Sequence, residues 1–149
     1  MERAETQYGI SDYRGGYVAS IRRTRRSEWL YSRVDAFMRS YAVDVGLEVS
    51  AIVQPLQYTE YSEEAEFRWH TDLMYAGSSE RKVTLSVQLT PAVEYEGGDL
   101  EVVGEAPCVW QRARGFAVAF PSFLGHRVTP LRRGTRHALV AWMHGPPLR

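Results

Sequence analysis

Lysine is almost absent from this 149-residue chain: Lys82 is the only one, and arginine carries nearly all of the positive charge. Arginine suits bidentate recognition of anions, although codon bias alone produces the same pattern. Net charge is absent too. Eighteen basic and eighteen acidic residues balance, which argues against non-specific nucleic-acid binding as the main task. Cysteine is reduced to Cys108, which excludes an intramolecular disulfide and fits a reducing compartment. No apolar run reaches the length of a membrane-spanning helix. The start, Met1-Glu2-Arg3-Ala4-Glu5, has no apolar stretch behind it, so no ordinary signal peptide is expected. Repeats and low-complexity tracts are also missing. What remains is a chain with 44% hydrophobic residues, long enough for one domain with a real core. These observations lead to the expectation of a soluble, cytoplasmic protein that engages neither nucleic acid nor membrane, with its oligomeric state left open.

Residues 1–20 read as an irregular arm ending in a short strand near Gly16–Ile21. Arg22-Arg23-Thr24-Arg25-Arg26 is either a solvated helix entry or an anion-binding cluster, and the first is the simpler reading. With Thr24 as N-cap and Glu28 in the first turn, the apolar spacing of Leu30, Val34, Phe37 and Tyr41 predicts an amphipathic helix over about 25–42. After Gly46 the period changes to two. Val49, Ala51 and Val53 predict a strand that continues past Pro55 through Leu56 and Tyr58. The acidic stretch Thr59–Glu66 reads as a loop, followed by a strand over Phe67–Asp72 and a turn at Met74–Ser79. Arg81–Thr90 is the clearest strand: Val83, Leu85, Val87 and Leu89 share one face, and Thr84, Ser86 and Gln88 the other. Further strands are expected at Asp99–Val103, Pro107–Gln111, Gly115–Phe120, near His126, and at Thr135–Met143, with Arg132-Arg133-Gly134 as a turn. One helix before about eight short strands, a β core over about 48–144, favours a sandwich or barrel with the helix packed outside.

Two histidines and a carboxylate stand out. His70 and Asp72 are separated by one residue, so on a strand both aim to one side. A His-x-Asp pair also arises by chance. His126 offers a third ligand from a distant strand, and three protein ligands on one octahedral face are what a non-haem iron(II) site needs. His137 and His144 read as structural or surface groups. On the last strand Arg136, Ala138, Val140 and Trp142 share a face. An inward arginine on an apolar face is costly unless it meets an anion, either a ligand or a protein carboxylate.

These stretches together resemble the prolyl 4-hydroxylase-like branch of the 2-oxoglutarate and iron(II)-dependent dioxygenases. The similar segments are Tyr58 with His70-Thr71-Asp72, Arg81 to Gly98-Asp99-Leu100, Phe120-Pro121-Ser122 ahead of His126-Arg127-Val128-Thr129-Pro130, and Gly134-Thr135-Arg136 through Trp142. The resemblance implies a mainly β fold: a double-stranded β-helix, or jelly-roll (cupin-like) barrel, with one N-terminal amphipathic helix outside. It implies His70, Asp72 and His126 as iron(II) ligands and Arg136 as partner of the distal carboxylate of 2-oxoglutarate, with dioxygen as the other co-substrate. Tyr58 matches a tyrosine that lines the co-substrate pocket in relatives. Gln88 stands where some relatives place a tyrosine on the co-substrate, and an amide can still donate there. Trp142 matches an aromatic near the iron, or is a core tryptophan.

The implied reaction is hydroxylation of an unactivated C–H bond with release of succinate and CO2. The carboxylate Asp72 favours hydroxylation over halogenation, because related halogenases carry a small residue there. The resemblance favours a prolyl residue in a peptide or protein as substrate. A free amino acid or small natural product is the rival, and a non-catalytic metal-binding cupin-like module the further alternative. Arg81, Tyr61, Met74 and Tyr75 are candidate entrance residues, each equally readable as surface packing.

Overall fold

The computed structural model describes residues 2–3, 13–73, 80–106 and 109–147. Its elements in order are β1 (Glu2–Arg3), β2 (Tyr13–Ile21), α1 (Glu28–Val45), β3 (Leu56–His70), β4 (Arg81–Gln88), β5 (Tyr95–Gly97), β6 (Leu100–Val102), β7 (Ala117–Pro121), β8 (His126–Val128), β9 (Leu131–Gly134) and β10 (Arg136–His144). Short 3-10 turns lie at Ala92–Glu94 and Val109–Arg112. Eight strands form one antiparallel sheet, with order β1-β2-β3-β10-β4-β7 and with β8 joining β3 to β6; β5 and β9 pair separately. No helix among the described residues is long and apolar enough to cross a membrane.

The expected helix is present but displaced toward the C-terminus. Thr24 and Ser27 tie a turn ahead of it, Thr24 N–H donating to Ser27 Oγ at 2.8 Å and Ser27 N–H to the Thr24 carbonyl at 3.1 Å. The helix therefore begins at Glu28 rather than at Arg25. It ends at Gly46, whose left-handed φ of 71° lets Leu47 N–H reach the Ala42 carbonyl at 2.8 Å. Its buried stripe is Tyr31, Val34, Met38 and Ala42. Leu30 and Tyr41 flank that stripe, and Phe37 is exposed.

The helix covers one face of the sheet. Leu56, Val83, Leu85, Leu139, Ala141 and Met143 meet the helical stripe in the main core. Tyr31 fixes the helix in place: its hydroxyl donates to the Ile21 carbonyl at 2.7 Å and accepts from Leu56 N–H at 3.2 Å. The face of β4 read as apolar is thus the helix face, and Thr84, Ser86 and Gln88 are left to the other side.

Four expected elements differ. The segment 49–55 is not a strand. Its backbone exchanges bonds with His144 at Ser50 and Ala51, and Pro55 has no N–H to continue a ladder. The acidic Thr59–Glu66 is strand, not loop. Thr59, Tyr61 and Ala65 are buried from one side, while the glutamates between and around them conceal the alternation. This makes β3 fifteen residues long. It bends at Glu64, which takes a positive φ of 66°, so its first half pairs with β10 and its last residues with β8. Finally, Arg132-Arg133-Gly134 belongs to β9 and pairs with β5. Of the expected strand over 107–111, the described part from Val109 onward is 3-10 turn.

Candidate active site

The bend in β3 carries its end across to β8, where His70 and His126 are direct cross-strand partners. Partners on adjacent antiparallel strands project to the same side, so the two imidazoles face one another with ring centroids 4.1 Å apart. Phe67 packs on His70 and Phe120 on His126, at 3.7 and 4.7 Å between centroids. The strand ends at His70, so Asp72 reaches the same place from the turn beyond it, fixed by Asp72 N–H donating to the Ser122 carbonyl at 3.0 Å. Asp72 Oδ1 lies 3.7 Å from His70 Nε2 and 3.5 Å from His126 Nε2.

Hydrogen bonding sets the tautomers. His70 Nδ1 lies 2.6 Å from the Arg68 carbonyl and His126 Nδ1 3.0 Å from the Leu124 carbonyl. A carbonyl oxygen only accepts, so both Nδ1 atoms carry the proton and both Nε2 lone pairs point inward. The carboxylate is divided in the same way. Asp72 Oδ2 accepts from Thr84 Oγ1 at 2.6 Å and from Trp142 Nε1 at 2.9 Å, which leaves Oδ1 for the space between the imidazoles. Thr84 spends its proton on the carboxylate, so Ser122 Oγ, 2.9 Å away and fully buried, donates to Thr84. Two imidazole lone pairs and one carboxylate oxygen, all within 4.8 Å of one another, fit a divalent cation. Adjacent vertices of an octahedron with bonds of about 2.1 Å stand about 3 Å apart, so a small contraction closes the set.

The rest of the pocket lies on the face of β4 and β10 away from the helix. Pairing places Ala138 opposite Gln88, Val140 opposite Ser86 and Trp142 opposite Thr84. At its far end Arg136 is 1% exposed and forms no ion pair with any described residue. Its Nε donates to Gln88 Oε1 at 3.1 Å, and its Cζ lies 5.2 Å from the Tyr61 ring centroid. Because arginine only donates, the Gln88 oxygen faces it and the amide N–H2 is turned elsewhere. Gly98 makes the space. A Cβ there would stand 2.8 Å from Leu131 Cδ1 and 3.2 Å from Arg136 Cδ. Small side chains at Ser86, Ala138 and Val140 keep open the stretch between Arg136 and the ligand cluster.

Most of the expected site residues therefore come together: His70, Asp72, His126, Arg136, Gln88 and Trp142. Tyr58 does not join them. Tyr61, not Tyr58, is the partner of Arg136 across β3 and β10, so the residue three positions earlier faces the other way, and Tyr58 stacks on His137 at 5.4 Å. Tyr61, read as an entrance residue, is buried beside Arg136 instead. Arg81 keeps a place at the site, with its guanidinium 3.8 Å above the Trp142 ring. Burial holds its pKa below the ordinary arginine range, with the charge of Asp72 pulling the other way. Met74 and Tyr75 lie outside the described residues. Thr84 was missed as a carboxylate donor, and Ser122 as the hydroxyl that donates to Thr84; the polar face of β4 was the only signal for Thr84. His144 is buried with Nδ1 unpartnered among the described residues, and burial followed by the charge of Arg81 lowers its pKa.

The comparisons with known proteins agree with this geometry. A PKHD-type hydroxylase of Shewanella frigidimarina is 27% identical over 143 residues, covering 86% of this chain and 63% of the relative. A PKHD-type hydroxylase of Acidovorax ebreus is 32% identical over 98 residues, covering 61% of this chain and 43% of its own length. The chain thus spans less than two thirds of these relatives. Among solved structures, a prolyl-4-hydroxylase of Pseudomonas putida superposes with a TM-score of 0.71 at 18% identity, over 91% of this chain and 74% of that one. The viral collagen prolyl hydroxylase of Paramecium bursaria Chlorella virus 1 gives 0.66 at 13%, over 92% and 82%. These two establish the jelly-roll fold. The sequence profile of the 2OG-Fe(II) oxygenase superfamily matches residues 56–144, the whole span from β3 to β10, and the chain belongs to that superfamily, with iron(II), 2-oxoglutarate and dioxygen as its metal and co-substrates.

Proposed function

We propose that the chain is a hydroxylase in which His70, Asp72 and His126 hold iron(II), and in which Arg136 and Gln88 receive the distal carboxylate of 2-oxoglutarate. The bound metal and co-substrate supply the oxidising chemistry that hydroxylates an unactivated C–H bond and releases succinate and CO2. The chain's own part is orientation and exclusion. The Arg68 and Leu124 carbonyls hold both imidazoles with Nε2 presented. Thr84 and Trp142 occupy Oδ2, so Asp72 would offer the metal its single remaining oxygen, Oδ1. Phe67, Phe120 and Val128 wall the metal side with apolar surface. The substrate we propose is a prolyl residue of a peptide or protein, which the names of the relatives support.

Arg136 carries the reading. A guanidinium this buried, with no carboxylate partner among the described residues, is costly until an anion arrives, and it stands on the pocket face across small side chains from the ligand cluster. The test is an anaerobic titration of apoprotein with iron(II) and 2-oxoglutarate, following the visible charge-transfer band of chelated co-substrate. A band saturating at one iron per chain, weakened in Arg136→Ala, is the expected result. Folded, metal-loaded protein without any band would refute the oxygenase mechanism.

A further inference from the structure

Helix α1 buries one stripe on the sheet and leaves a second row, partly apolar, on its far side. Trp29, Ala36 and Val43 recur there every seven residues, with Arg33 and Ser40 between them, and all five are exposed. Alternating steps of four and three residues keep side chains on one helical face, and this face lies opposite the buried Tyr31, Val34, Met38 and Ala42. The two large apolar groups in the row are the most open on the helix, Trp29 at 61% and Val43 at 80%. Scattered exposed hydrophobics are ordinary. A heptad-spaced row of them is the pattern by which helices pair.

The charges at the two ends of α1 point to what covers that row. A helix favours acids at its N-terminus and bases at its C-terminus. Here Arg22, Arg25 and Arg26 stand before the first turn, while Asp44 and Glu48 stand at and beyond the last. All five are exposed, and none forms an ion pair with a described residue. The last turn contains no basic residue. Glu28 has the favourable sign, but Arg23 Nε holds it at 2.8 Å. Both ends therefore carry free charge of the sign their own helix disfavours. A second α1 lying antiparallel across the first brings each basic end onto an acidic one.

A two-fold axis through the middle of Glu28–Val45 achieves this. It carries Arg25 and Arg26 of one copy to the Asp44 and Glu48 end of the other, and Trp29 to Val43. Ala36 and Ser40 are the small residues near the crossing, where the helix axes come within about 8–10 Å. Under two-fold symmetry each contact occurs twice.

We propose that α1 is a self-association surface, on which a second copy of this chain docks with its own α1 antiparallel. Because α1 covers the sheet face away from the pocket, pairing leaves both pockets open. A single helix of 18 residues, about 27 Å long, gives a contact at the low end of specific interfaces. The dimer is therefore weak, with a dissociation constant of about 1–100 µM.

Sedimentation equilibrium of the whole chain, from about 1 to 500 µM, reads the association. The expected result is a monomer–dimer equilibrium that weakens about tenfold between about 0.05 and 0.5 M salt, as exposed charges are screened. Trp29→Ser should weaken it at least about tenfold. Charge reversal is the stricter test. An acidic variant, Arg25→Glu with Arg26→Glu, and a basic variant, Asp44→Arg with Glu48→Arg, should each fail to self-associate. An equimolar mixture of the two should form a dimer again, since both ends then pair opposite signs. Trp29→Ser in both chains of the mixture should undo that recovery. Circular dichroism and thermal unfolding of the dilute variants check that the fold is kept. Monomer throughout the concentration range, a dimer indifferent to Trp29→Ser, charge-reversed variants that self-associate as wild type does, a mixture that stays apart, or a recovery that survives Trp29→Ser would each overturn the proposal.

Discussion

Replacing Thr84 by valine removes one atom from the middle of a donor chain and changes little else in shape. In the native protein Ser122 donates to Thr84 and Thr84 donates to Asp72 Oδ2, over 2.9 and 2.6 Å. Thr84→Val takes away one of the two donors to a buried carboxylate, a charge-assisted bond worth about 1.5–3 kcal/mol. It also strands the hydroxyl of Ser122, which is fully buried, at a further cost of about 1–3 kcal/mol. The apoprotein should therefore unfold about 2–4 kcal/mol more easily, because such costs overlap when neighbours relax. Freed on one side, Asp72 can rotate or chelate through both oxygens. Affinity for iron(II), or for manganese(II) as a stable probe, should fall about 10- to 100-fold. Thr84→Ser keeps the hydroxyl and should retain most of both properties. Adding Ser122→Ala to Thr84→Val removes the stranded group and should cost less than Ser122→Ala does alone. Denaturant unfolding of the wild type and the four variants without metal and calorimetric titration with manganese(II) measure both quantities. Wild-type metal affinity in Thr84→Val would refute the claim that the donors on Oδ2 set how Asp72 presents Oδ1.

Further outcomes follow from the same structure. Tyr95 has a buried hydroxyl without a partner among the described residues, so Tyr95→Phe should leave stability unchanged or raise it by up to about 1–3 kcal/mol in thermal unfolding. Gly98 combines a φ of 62° with an ideal Cβ position close to Leu131 and Arg136. Gly98→Ala should therefore weaken 2-oxoglutarate binding through Arg136, with manganese(II) affinity nearly unchanged in the same titration. The pKa of His144 is lowered in the folded protein by burial and by Arg81, so below about pH 6.5 the unfolded chain binds the proton first. Its contribution to stability is complete above that pH and declines as the pH falls through and below it. His144→Phe should flatten this part of the stability profile in denaturant titrations at stepped pH.

Much of the site was legible because its cues are local. His70-x-Asp72 and His126 show their chemistry in the residue types themselves. The alternation along Arg81–Gln88 separates a helix-facing side from a pocket side without any knowledge of neighbours, since strand parity is a property of the backbone. The same parity put Arg136 and Trp142 together on β10, as the geometry bears out. The acidic segment of β3 misled for an equally local reason: glutamates at most of its exposed positions conceal Thr59, Tyr61 and Ala65, which are buried only because β2 and β10 flank them.

Sequence alone therefore determined which side chains have the chemistry that suits a metal or an anion, and the side of its own strand each one takes. It could not determine which tyrosine meets Arg136. That depends on cross-strand register, and register pairs Arg136 with Tyr61 and sends Tyr58 to stack on His137. Nor could it show that Thr84, itself held by Ser122, and Trp142 hold one oxygen of Asp72. Those three residues come from separate strands or their ends, 12 to 70 positions away from the aspartate. Hydrogen bonds of about 3 Å between such distant positions exist only once the bend in β3 and the packing of β4 between β7 and β10 have brought the backbones together.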